Sequence, residues 1–72
     1  MAWKEFAPFT SSNVSSIRYD AEQAILEVTF NSGGTYQYYN VPSQVADDFE
    51  RADSKGSFLA TNIKGSYQYS RV

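Results

Sequence analysis

Leu26, Val28 and Phe30 alternate with Glu27 and Thr29, the period-two pattern of a strand with one buried face. The run before it has the same period. Ile17 and Tyr19 fall on one side of a strand predicted over Val14–Asp20, with Ser16 and Arg18 on the other. Residues 20–23 turn the chain, and the second strand covers residues 24–30. Asn31-Ser32-Gly33-Gly34 then places turn residues between two alternating runs. This is a β-hairpin signal, and it leads to a third strand over residues 35–40.

The period changes after Val41. Pro42 suits the first turn of a helix, and Val45, Phe49 and Ala52 recur at helical spacing, with Asp47, Asp48 and Glu50 on the other side. That helix should end near Ala52-Asp53. Ser54 is placed to cap a second, short helix over residues 57–62, carrying Phe58, Leu59 and Ile63 to the core, and Gly65 ends it. Residues 66–72 alternate again, with Tyr67 and Tyr69 on one face and Gln68 and Ser70 on the other. Ahead of all this, Trp3, Phe6 and Phe9 are spaced by three, but Pro8 interrupts a helical turn. Residues 1–10 therefore read as an irregular aromatic lead-in, a flap over one end of the core, and residues 11–72 as a single domain. The order β-β-β-α-α-β predicts an α+β two-layer sandwich: an antiparallel three-strand meander, helices on one face, and a last strand returning to the sheet.

Tyr36 and Tyr38 share a face of the third strand, and Gln37 and Tyr39 share the other. Which face meets the helices depends on the hairpin loop. A loop of two or four residues puts Tyr36 and Tyr38 with Glu27 and Thr29, open to solvent or a ligand. A three-residue loop, Ser32-Gly33-Gly34 with Gly34 left-handed, pairs Phe30 with Tyr36 and Val28 with Tyr38, inside the core. Consecutive glycines favour the three-residue loop. Two buried rings, each hiding on the order of 150–250 Å², also contribute more to a small core than Gln37 would. On this reading the pair serves the core and not a ligand, and Tyr39 is left on the outer face.

Composition narrows the chemistry. Seventy-two residues form one domain with a thin core, which six tyrosines, five phenylalanines and one tryptophan help to fill. Cysteine and histidine are both missing. That removes Ser-His-Asp and Cys-His catalysis, thiolate and imidazole metal sites, and disulfides. The N-terminal residues lack the apolar run of a signal peptide, and no stretch is long enough to span a bilayer. A cytoplasmic protein with no membrane partner is the expectation. Six basic residues against eight acidic ones leave a net charge of −2, without the basic excess usual for nucleic-acid binding.

An ordered series of short segments is nonetheless distinctive: Ser11-Ser12-Asn13-Val14-Ser15-Ser16-Ile17-Arg18-Tyr19-Asp20, Leu26-Glu27-Val28-Thr29-Phe30, Gly34-Thr35-Tyr36-Gln37-Tyr38, Val41-Pro42, Ala52-Asp53-Ser54-Lys55-Gly56, and Ile63 before Tyr67. Across residues 11–69 the series resembles the KTSC domain, a short module named for its occurrence at the C-terminus of some lysyl-tRNA synthetases and also found alone in bacterial and phage proteins. The resemblance implies, through that synthetase context, an association with RNA or tRNA. The central Tyr-x-Tyr of the family corresponds to Tyr36 and Tyr38, while the aromatic lead-in departs from the bare domain.

Two functional readings follow. In the first, a non-catalytic domain stacks unpaired bases on Tyr36, Tyr38, Tyr39, Tyr67 and Tyr69 and meets phosphates with Arg18, Lys55, Lys64 and Arg71. In the second, Trp3, Phe6 and Phe9 bury against another protein or a second copy of the chain. Asp47, Asp48, Glu50 and Asp53 read as a solvated helix face and not as a cation site. No catalytic residue, metal ligand or cofactor is assigned.

Overall fold

Every strand among the described residues pairs antiparallel with its neighbour in chain order. A computed structural model describes residues 2–72. It contains strands β1 (Trp3–Glu5), β2 (Val14–Asp20), β3 (Ile25–Phe30) and β4 (Thr35–Tyr38), helices α1 (Ser43–Arg51) and α2 (Lys55–Phe58), and strand β5 (Tyr69–Arg71). Helix α2 runs directly into a wider π-helical turn over Leu59–Ile63. The five strands form one sheet in the order β1-β2-β3-β4-β5. The fold class is α+β, with the helices on one face of the sheet. No helix among the described residues is long and apolar enough to cross a membrane.

The lead-in is not irregular throughout. Trp3, Lys4 and Glu5 pair with Asp20, Tyr19 and Arg18 and add a fifth strand to the sheet. Three residues are too few to show an alternating pattern. What forms the strand is the open edge of β2, whose backbone groups need partners. Phe6 continues the pairing, its N–H donating to the Ile17 carbonyl at 2.9 Å, before Pro8 turns the chain away.

The β3–β4 hairpin has a three-residue loop, but one residue earlier than the sequence suggests: Asn31-Ser32-Gly33. Gly33 is the left-handed residue, at φ 102°, and its N–H closes the turn on the Phe30 carbonyl at 2.9 Å. Val28 therefore pairs with Tyr36 and Leu26 with Tyr38. The shift from the expected register is two residues, so the faces are kept. Tyr36 and Tyr38 lie on the helix side with Leu26 and Val28.

The core on that side joins Ile17, Tyr19, Leu26, Val28 and Tyr38 to Val41, Ala46, Phe49, Leu59 and Ile63. Pro42 and Ser43 start α1 as expected, and Ser54 caps α2, its Oγ accepting the Ser57 N–H at 3.2 Å. Buried polar groups are satisfied locally. The Tyr19 hydroxyl donates to the Val41 carbonyl at 2.5 Å. The buried Asp20 carboxylate accepts from the Glu22 and Gln23 N–H groups at 2.9 and 3.3 Å and from the Gln23 side chain at 3.0 Å. Burial pushes the Asp20 carboxyl up, but these hydrogen bonds outweigh it and hold it below its ordinary range.

The outer face carries a polar row. Arg18 Nε donates to Glu27 at 2.6 Å, Gln37 donates to the same carboxylate at 2.9 Å, and the Arg18 guanidinium sits 4.2 Å from the Trp3 ring centre. The hydrogen bond from Arg18, assisted by the one from Gln37, holds the Glu27 carboxyl below its usual range against the opposing effect of burial.

Two outcomes test this description. A Cβ at Gly33 would meet nothing within 4 Å, so Gly33→Ala should destabilise by about 1 kcal/mol through backbone strain alone. Gly33→Asn should cost less, both read by urea denaturation. Glu27 and Asp20 have folded pKa values below their unfolded ones, so their stabilisation is complete above the unfolded values and is lost as pH falls through the folded ones. Unfolding free energy should therefore drop below about pH 4.5, and Glu27→Gln should lose less stability than the parent across that acid window.

Candidate functional site

The helical layer does not reach the whole sheet. Past its edge, Tyr36 and Tyr38 of β4, Tyr69 of β5, Phe30 and Ser32 of the hairpin, and Lys64 and Gly65 line an open cleft of about 580 Å³. Pairing of Tyr38 with Tyr69 and of Tyr36 with Arg71 sets Tyr69 and Arg71 on the same face of the sheet as the two central tyrosines. Gly65, at φ 83°, turns the chain after the π-helical turn back toward β5.

The rings are packed on one another. Phe30 meets Tyr36 edge-on, with centroids 5.6 Å apart, and Tyr69 tilts against both Tyr36 at 5.8 Å and Tyr38 at 5.7 Å. These separations fall in the favourable range for aromatic pairs. Exposure grades across the cluster: Tyr38 is 3 % exposed and forms the floor, Tyr36 is half-buried, and Tyr69 is 59 % exposed. Burial raises the Tyr38 hydroxyl pKa, and the neighbouring Tyr69 and Tyr36 add to the effect, so the hydroxyl stays protonated at neutral pH. Lys64 holds its ammonium 5.4 Å from the Phe30 ring centre, a cation–π distance. The Arg71 guanidinium lies beside Gly34 just outside the lining, 3.6 Å from where a Cβ there would be.

Tyr36 and Tyr38 thus face both the helix side and open space. The core reading of the pair holds, with Tyr38 inside the core and Tyr36 packed against it, and both rings also line the open cleft. Tyr38 belongs to the core and to the floor of the cleft together.

The other predicted residues are dispersed. Arg18 is on the outer face, bound to Glu27. Tyr39 lies beyond β4, half-buried, its N–H donating to the Gln68 carbonyl at 2.9 Å. Tyr67 packs against the core. Lys55 is buried, its ammonium donating to the Ala52 carbonyl at 2.6 Å and standing 5.5 Å from the Phe9 ring centre. It borders a second, polar cleft of about 420 Å³ between residues 10–13 and the start of α2. A Cβ on Gly56 there would come within 2.8 Å of Asn13 Oδ1, so a larger residue would require the Asn13 side chain to move. Phe6 packs edge-on against Phe49 at 5.4 Å, Phe9 packs against the core, and Trp3 lies under Arg18. Asp47 and Asp48 are exposed on α1, and Asp48 accepts hydrogen bonds from Gln44 and Arg51.

Phe30, Ser32 and Gly65 are cleft residues that the sequence did not single out. Phe30 follows the core alternation, and only its place at the hairpin end, beyond the helices, exposes it to the cleft.

Comparison with known proteins bears on the whole chain. The KTSC domain family profile matches residues 10–70. The crystal structure of a KTSC domain protein from Yersinia pestis superposes with a TM-score of 0.90 at 38 % identity, covering 99 % of both chains. An uncharacterized protein from Stutzerimonas stutzeri is 43 % identical over 63 residues, 86 % of this chain and 89 % of its own length. A lysine–tRNA ligase from Trichormus variabilis is 33 % identical over 61 residues, 85 % of this chain but only 11 % of the ligase. Match, fold and ordered motifs agree over nearly the same residues, and the chain belongs to the KTSC domain family.

Proposed function

We propose that this protein is a non-catalytic, cytoplasmic binding domain that receives unpaired RNA in the aromatic cleft. The observation that carries the reading is the convergence of Tyr36, Tyr38 and Tyr69 with Lys64 at one open site. A ring exposed in such a cleft offers a face on which any base can stack, worth about 1–3 kcal/mol per base, and a neighbouring ammonium meets the phosphate. The relationship of this domain to a stretch of a lysine–tRNA ligase supplies an RNA context. The lack of cysteine and histidine favours binding over nucleophilic or general-base chemistry. The alternative, docking of a protein or a second copy on Trp3, Phe6 and Phe9, has less surface to use, because Phe6 and Phe9 are packed against the core and Trp3 is covered by Arg18.

Titrating the labelled protein with a single-stranded RNA decamer at low salt should shift the amide resonances of Tyr36, Lys64, Gly65 and Tyr69. Tyr69→Ala should weaken binding by about 5- to 150-fold, the loss of one stacked base. An unchanged spectrum, or shifts confined to the Arg18–Glu27–Gln37 row, would contradict the proposal.

A further inference from the structure

The charges and rings around the cleft also set how much RNA it can hold. Four of the six basic side chains are engaged elsewhere. Arg18 is bonded to Glu27 on the opposite face of the sheet, Lys55 is buried against Ala52 and Phe9, Arg51 is paired with Asp48, and Lys4 lies 4.0 Å from Glu50. Lys64, which lines the cleft, and Arg71, which lies beside Gly34 just outside the lining, remain. At a net charge of −2, the described residues offer no further cationic track along which a phosphate backbone could run.

The rings give the same limit by a separate route. Proteins that hold a continuous single strand set out successive aromatic platforms along a positive groove, with site sizes of roughly 4–16 nucleotides. Here the cleft tyrosines are clustered, with centroids 5.6 to 5.8 Å apart from Phe30 through Tyr36 and Tyr69 to Tyr38. Packed in this way they cover one another, and only Tyr69 presents most of its surface to solvent. The cluster makes one stacking position and not a row. At about 580 Å³, the cleft falls in the roughly 300–1,000 Å³ range of small-ligand sites.

We infer that the cleft admits one unpaired nucleotide, at most two: a nucleotide extruded from a loop, bulge or strand end of a structured RNA, its base on Tyr69 and its phosphates between Lys64 and Arg71. This inference rests on the RNA reading of the same site and narrows it. The remainder of a bound RNA would lie away from the acidic surface.

The test compares adenosine 5′-monophosphate, the 5′-phosphorylated dinucleotide pApA, which carries two phosphates, and the decamer A10 by NMR titration over a range of salt concentrations. Affinity should rise from the mononucleotide to the dinucleotide. From there to the decamer it should increase by no more than the number of equivalent binding positions. The logarithm of the binding constant should fall with the logarithm of salt with a slope no steeper than about −1.4, two phosphates at roughly 0.7 each. Lys64→Gln and Arg71→Gln should each remove about 0.7 from that slope. If the decamer binds more tightly than the dinucleotide by more than the number of equivalent positions, or its slope is steeper than about −1.4, while the cleft resonances still shift, the two-nucleotide limit is overturned and RNA binding stands. If no nucleotide probe shifts the cleft, the RNA reading itself fails. Shifts there with an acidic peptide alone would assign the cleft to protein.

Discussion

Gly33 holds φ at 102° in the tight turn between β3 and β4, and the three-residue loop it closes sets the register of β4 on β3. A three-residue loop closing on Phe30 pairs Val28 with Tyr36 and Leu26 with Tyr38. Because side chains alternate along a strand, this parity sends both tyrosines to the helix side and sends Gln37 to the outer face with Glu27. The Arg18–Glu27–Gln37 row outside and the tyrosine cluster inside are two results of the same register. A loop one residue longer would flip β4 alone, placing Tyr36 and Tyr38 beside Glu27 and Thr29 on the outer face and the Gln37 amide against the core.

The cleft arises from a mismatch of areas. Five strands side by side make a sheet about 19 Å across, and the helical layer's buried residues, Ala46 and Phe49 of α1 with Leu59 and Ile63 of the π-helical turn, leave Tyr69 of β5 exposed. At the β1 side the shortfall is made up by Phe6 and Phe9, which close over Phe49 and the core. At the β5 side nothing comparable does so, and the chain leaving the π-helical turn passes at Lys64 and Gly65 before rejoining the sheet. The tyrosines there stay accessible from one side while their bases are held by the core.

Much of the architecture is legible in local pattern. The strand at Val14–Asp20, the helix entered at Pro42, the cap at Ser54 and the face of Tyr36 and Tyr38 all follow from period, turn chemistry and capping. The strand at Trp3–Glu5 does not, because three residues hold no period and their pairing is decided by the free edge of β2. The loop position was displaced by one residue because either of two consecutive glycines can supply a left-handed conformation, and the choice depends on how Phe30 and Gly34 bond across the hairpin. The cleft is tertiary throughout. Tyr36, Lys64 and Tyr69 lie in separate segments, and only the incomplete helical layer makes their meeting place open. Nor does the sequence show that Arg18 is tied to Glu27 while Lys64 and Arg71 are left at the cleft.

Core and cleft both depend on the two tyrosines lying on the helix-side face, within one aromatic cluster. Nuclear Overhauser measurements between assigned ring protons test this directly. The structure predicts cross-peaks from Tyr36 to Phe30 and to Tyr69, and from Tyr38 to Tyr69. Cross-peaks from the Tyr36 ring to the side chains of Glu27 and Thr29, with none to Phe30 or Tyr69, would place the hairpin in the opposite parity and contradict the account.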